Sequence, residues 1–241
     1  MEREPSFEKT KKGEKLQGEA TWPAGELRHY LRALAYNTPE KNFCLEKDKF
    51  PQQIVLSHAW HEIFNRMRAA TAEDAHERWA MIGVNTDRDR LYVSRDFVRA
   101  QKPRSDIDAE SMLNKVVAAF NRQIPHLVGD IHSHPQFGFR LLEKWLGQDC
   151  FSLRDFYSFL YPSEYAPSFG AMFLVGPNEN RVVFRSRETE LLPSAFDEQL
   201  FESIWQNRDL FTIRPNIAIA RRYRLVLYGG KPGQTLMRLF P

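Results

Sequence analysis

Apolar residues recur along this chain with two periods, and the switches between them mark out its elements. Over residues 23–37, Leu27, Tyr30, Leu31 and Leu34 fall at helical spacing, with Pro23 suited to a first turn. Residues 53–56 form a short strand. Ser57 can then cap a helix whose buried face carries Ala59, Ile63, Phe64 and Met67. Residues 79–85 and 91–94 read as strands of a hairpin across the turn-rich 86–90. A polar, basic loop from Phe97 leads at Ile107 into a helix through Met112, Leu113, Val116, Val117 and Phe120. A strand from Val128 ends at Pro135, and residues 151–161 suggest a helix. Residues 170–175 and 181–185 are strands joined by a turn, and residues 194–205 a helix. The alternation over 221–228 and 235–240 predicts a terminal hairpin around 229–234. This succession implies an α/β fold, a mixed sheet flanked by helices.

The same pattern divides the chain. Residues 1–20 carry Lys, Glu, Gly and Ser with almost no apolar residue, too little to offset chain entropy, so a disordered arm is expected. A helical extension occupies 21–49, the main domain 50–190, and a C-terminal extension of helix and hairpin, 191–241, packs on it.

Composition narrows the function. A net charge of only +3 in 241 residues lacks the basic excess of most nucleic-acid binders, which makes nucleic acid an unlikely partner. Cys44 and Cys150 are too few for a disulfide framework. No apolar run approaches membrane-spanning length, and residues 1–19 are charged throughout, unlike a signal peptide. A cytoplasmic protein without a membrane anchor is the expectation.

Chemistry concentrates in Val128-Gly129-Asp130-Ile131-His132-Ser133-His134-Pro135. Side chains alternate along a strand, so His132 and His134 project from one side, and Pro135 ends the strand beside them. Asp155, one turn into the helix that follows, offers a carboxylate as third ligand. Two His and one carboxylate leave a tetrahedral zinc an open position for water, the arrangement of a catalytic site. The best candidate for a proton-accepting carboxylate is Glu77, just before the strand at Trp79. Each residue also has a plainer reading: a strand-edge Glu is ordinary, and Ser152-x-x-Asp155 before an apolar run is a capping box. Two other clusters fail on spacing. His58, His61 and Glu62 lack the i, i+4 histidine pair of a helical zinc site, because Asn65 stands where the second would be, and His76 has no partner four residues on.

The His-x-His-Pro run, the Ser-x-x-Asp that follows and the upstream Glu before a Gly-containing apolar strand resemble the JAMM (JAB/MPN) metalloproteases. The resemblance spans roughly residues 50–187 and extends to the order of elements. It implies a JAMM/MPN-like fold, with His132, His134 and Asp155 as ligands of one catalytic zinc, Glu77 as general base and acid, and Ser152 as the hydroxyl that steadies the oxyanion. It further implies a zinc-dependent isopeptidase or peptidase that releases a ubiquitin or ubiquitin-like protein from its conjugate or precursor. The alternatives are a non-catalytic MPN-type scaffold, and a hydrolase of a small amide or of a sulfur-carrier-protein tail. One departure stands out: sixteen residues, 136–151, separate Pro135 from Ser152 where the family has a short connection. That interval either packs on the domain or covers the cleft.

Overall fold

The computed structural model describes residues 46–85, 90–93, 97–100, 126–135, 148–160, 170–191 and 213–240. After a 3-10 turn at Lys47–Lys49 come β1 (Gln53–Ile54), α1 (His58–Asp74), β2 (Arg78–Asn85), β3 (Arg90–Val93), β4 (Val98–Arg99) and β5 (His126–Ser133). Then follow α2 (Leu153–Leu160), β6 (Ala171–Val175), β7 (Asn180–Phe184), α3 (Arg214–Arg222), β8 (Val226–Gly230) and β9 (Leu236–Arg238). The strands make one mixed sheet in the order β1-β9-β8-β7-β6-β5-β2-β3, with β4 pairing on β2. The expected arm at 1–20, the helices near 23–37, 107–120 and 194–205, and most of the 136–151 interval lie outside the described residues.

Alternation along the strands sorts the core into two layers. Ala171, Phe173 and Val175 of β6, Val182 and Phe184 of β7, and Val226 and Tyr228 of β8 join Phe64 and Met67 of α1 in one cluster. Their neighbours Met172, Leu174, Val183 and Leu227 point the other way, onto Phe156, Phe159 and Leu160 of α2 and Ile219 and Ala220 of α3. Slipping a strand by one residue would therefore set each face against the wrong layer, and misfit of about 1–3 kcal/mol per overpacked side chain holds the register. Ser57 caps α1 as anticipated, its hydroxyl accepting from the Trp60 amide at 3.4 Å, and Trp60 stacks on Phe173 at 5.2 Å.

The only parallel pair among the described strands is β5 with β6, from Gly129↔Ala171 to Ser133↔Val175. A parallel pair needs a crossover, and α2 lies in this one. Gly129 makes the pairing possible: a Cβ there would overlap the Ala171 carbonyl oxygen. Gly129→Ala is expected to destabilise the protein by about 3 kcal/mol, lowering Tm by roughly 6–12 °C. A thermal melt indistinguishable from the parent protein would contradict this packing.

Two expectations need correction. The segment read as a strand over 221–228 begins as α3, which runs to Arg222; Arg224 then turns at φ 57° and β8 starts only at Val226. Pro215 in the first turn and buried Asn216, Ile219 and Ala220 make this a helix, while the alternation around Leu225 and Leu227 belongs to the strand alone. The polar stretch from Phe97 also contains β4, whose Val98 pairs with Trp79 and Arg99 with Arg78. The C-terminal hairpin lies inside the sheet, where β9 joins β8 to β1 through Gln53↔Met237 and Ile54↔Leu236.

Candidate metal centre

The site forms where β5 ends. Trp79 of β2 pairs with His132, and Leu174 of β6 pairs with it on the other side. His132 therefore points, with Leu174, to the sheet face that α2 covers. His134 continues past the strand, its amide donating to the Val175 carbonyl at 3.3 Å. Ser133, between them, faces α1 instead. Its hydroxyl lies 2.5 Å from that of Thr71 and accepts from the Arg78 amide at 2.9 Å, which pins the strand end. The two imidazoles, with ring centroids 5.4 Å apart, thus reach one side from a fixed backbone.

Helix α2 supplies the carboxylate. Ser152 and Asp155 form the reciprocal cap: the Asp155 amide donates to the Ser152 hydroxyl at 3.1 Å, and the Ser152 amide to Asp155 Oδ2 at 2.6 Å. That cap leaves Asp155 Oδ1 3.6 Å from His132 Nε2 and Oδ2 3.5 Å from His134 Nε2. Ligand atoms of His132, His134 and Asp155 all lie within 4.8 Å of one another, and these three residues can hold a metal ion.

Two observations fit a cation there. His132 Nε2 is buried without a hydrogen-bond partner, and its 3.6 Å separation from Asp155 is too long for a bond. Ligands at about 2.0–2.1 Å around a tetrahedral ion stand about 3.4 Å apart, close to these two His–Asp separations. The outer nitrogens are already occupied. His132 Nδ1 lies 3.3 Å from Asp130 Oδ2, which also accepts from Trp79 Nε1 at 3.1 Å, and His134 Nδ1 lies 3.2 Å from the Gln148 carbonyl. A carboxylate and a carbonyl only accept, so both rings keep a proton on Nδ1 and turn Nε2 toward Asp155.

Electrostatics point the same way. Burial disfavours charge on His132, but the Asp155 carboxylate and the hydrogen bond to Asp130 outweigh it and hold the imidazole pKa well above its ordinary value. Burial likewise opposes charge on Asp155, and the facing histidines still hold it well below the usual carboxylate range. Burial pushes Asp130 up, against the hydrogen bonds from His132 and Trp79. The Asp155 carboxylate thus favours positive charge on the histidine side of the site, whether a proton or a metal ion supplies it. Cys150, two residues before Ser152, has its thiol pushed up to about 11 by burial and does not offer a ready thiolate.

Glu77 stands at the start of β2 and does not join the three-residue cluster. Its carbonyl accepts from the Ala100 amide at 3.0 Å. The β2–β5 register ends at Trp79↔His132, two residues short of Glu77, and the Arg78 amide bonds to the Ser133 hydroxyl there instead of continuing the ladder. The excluded histidines lie elsewhere. His58 opens α1 exposed, 3.7 Å from Glu62, while His76 is buried with Nδ1 2.8 Å from the Ala100 carbonyl.

Asp130, Trp79 and Gln148 are the residues that motif reading passes over. Asp130 was within reach, since it stands two positions before His132 and shares its face. The Gln148 contact is made by backbone across 14 residues and leaves no mark in side-chain pattern.

Fold and site together define an α/β protein with a candidate mononuclear metal centre of two histidines and one carboxylate, set at the carboxyl end of a parallel strand pair. Comparison of the chain with protein-family models, with curated proteins and with solved structures returns no match. Among the described residues, no helix is long and apolar enough to cross a membrane.

Proposed function

We propose that this protein is a zinc-dependent peptidase of the JAMM (JAB/MPN) type, acting in the cytoplasm to release a ubiquitin or ubiquitin-like protein from a conjugate or precursor. The observation that carries the reading is the convergence of His132, His134 and Asp155, with Ser152 capping the helix that delivers the third of them. The motif resemblance supports it further, because the family assigns its ligands to these positions.

His132 and His134 through Nε2, and Asp155 through its carboxylate, would hold the ion. When bound, zinc supplies a Lewis acid that lowers the pKa of water from about 15.7 to about 7. Glu77, just before β2, accepts the proton of the attacking water and returns it to the departing amine as the carbonyl carbon gains an oxygen and loses its nitrogen. The Ser152 hydroxyl accepts from the Asp155 amide, which leaves its own proton to donate to the developing oxyanion. Asp130 and the Gln148 carbonyl hold both rings in the tautomer that presents Nε2.

Incubation of the zinc-loaded protein with ubiquitin-like fusions and isopeptide conjugates tests the proposal. Cleavage after the last residue of the ubiquitin-like moiety, lost on chelation, is expected. Intact substrates across a panel of such fusions would overturn it.

A further inference from the structure

The geometry points to Asp149 as the positioning residue for His134, acting by latching the Gln148 carbonyl in place; the inference rests on the metal reading above. Asp149 has no role in ligation, yet it is tied with unusual completeness to the turn between β6 and β7. Its Oδ1 accepts from the amides of Asn178 at 2.8 Å and Glu179 at 3.0 Å, and Oδ2 accepts from Asn178 Nδ2 at 3.1 Å. Its carbonyl accepts from Arg181 Nε at 3.1 Å. Two backbone donors of one turn are thus satisfied by one carboxylate from 29 and 30 residues away.

The turn itself is anchored. Arg68 of α1 donates from Nε to the Gly176 carbonyl at 3.0 Å and from Nη2 to Asn180 Oδ1 at 2.6 Å. Gly176 is the residue that permits the approach, because a Cβ there would meet Asp149 Oδ1 at 2.5 Å and the Asp149 Cα at 2.9 Å. Helix α1, the β6–β7 turn and Asp149 therefore form a continuous support.

One peptide before Asp149 is Gln148, whose carbonyl receives His134 Nδ1 at 3.2 Å. His134 is only partly buried and lies past the end of its strand, so the sheet alone does not fix its ring. With the Gln148 carbonyl in place, Nδ1 keeps its proton and Nε2 faces Asp155. Without it, the ring turns and both tautomers become available. Outer partners of ligating histidines set metal affinity in this way, at about 10–100-fold each.

Cobalt(II) titration of the whole protein, followed by its visible spectrum, tests the latch. Asp149→Ala is expected to weaken cobalt binding by about 10–100-fold and to alter the visible band of the bound ion. Asp149→Asn keeps an Oδ1 acceptor for the two backbone amides and should recover most of that loss. Ser57→Ala, which removes the α1 cap far from the site, should lower Tm while leaving affinity and spectrum unchanged. Should Asp149→Ala fail to fold, Asn178→Ala removes only the exposed Nδ2 donor and should weaken binding a fewfold, roughly the effect of one hydrogen bond. Wild-type cobalt affinity and spectrum in the folded Asp149 or Asn178 variants would overturn the inference. Failure of the parent protein itself to bind cobalt would overturn the metal reading on which it stands.

Discussion

Glu77→Gln is expected to leave metal bound and to lower kcat by about 10²–10⁴-fold, the usual contribution of a positioned acid–base group. The amide matches the carboxylate in size and keeps one acceptor oxygen but cannot accept the water proton. Its backbone duty is untouched, since the Ala100 amide bonds to the Glu77 carbonyl and not to the side chain. Loss should therefore appear in turnover with little change in KM, Tm or metal content. Activity retained within a fewfold of the parent protein would place the base elsewhere.

Asp155→Asn carries the second large effect, on metal. The carboxylate has two jobs that this substitution separates. As a cap partner it accepts from the Ser152 amide at 2.6 Å, and an amide oxygen can still do so. As a ligand it supplies the only negative charge among the three clustered residues, and the amide does not. Metal affinity should fall by at least about 100-fold, beyond what an outer-sphere change costs, while α2 stays folded. His134→Ala should lose metal comparably. Full metal content in the Asp155 variant, read by elemental analysis after gel filtration, would show that the ion sits elsewhere.

Local periodicity explains which parts of this architecture could be read from residues alone. The histidine pair was legible because strand side chains repeat every two residues and Pro135 ends the run; the same rule reaches Asp130. The cap at Ser152 and Asp155 was legible because it spans a single helical turn. Arg214–Arg222 was not, since no side chain caps it: Ile213 stands at its N-terminal boundary and has no side-chain group to bond there, and its arginines mask the apolar face. Strand β4, two residues long, is too short to show a period. The support from Arg68 through Asn180, Gly176 and Asp149 to Gln148 joins residues more than 100 positions apart, partly through backbone atoms, and only the folded chain brings them together.

The most direct test of the central claim is metal content. Protein purified without chelators, supplied with zinc and freed of excess by gel filtration, should hold about one zinc per chain by elemental analysis, and His132→Ala protein treated identically should hold none. A parent protein that emerges without zinc would contradict the account.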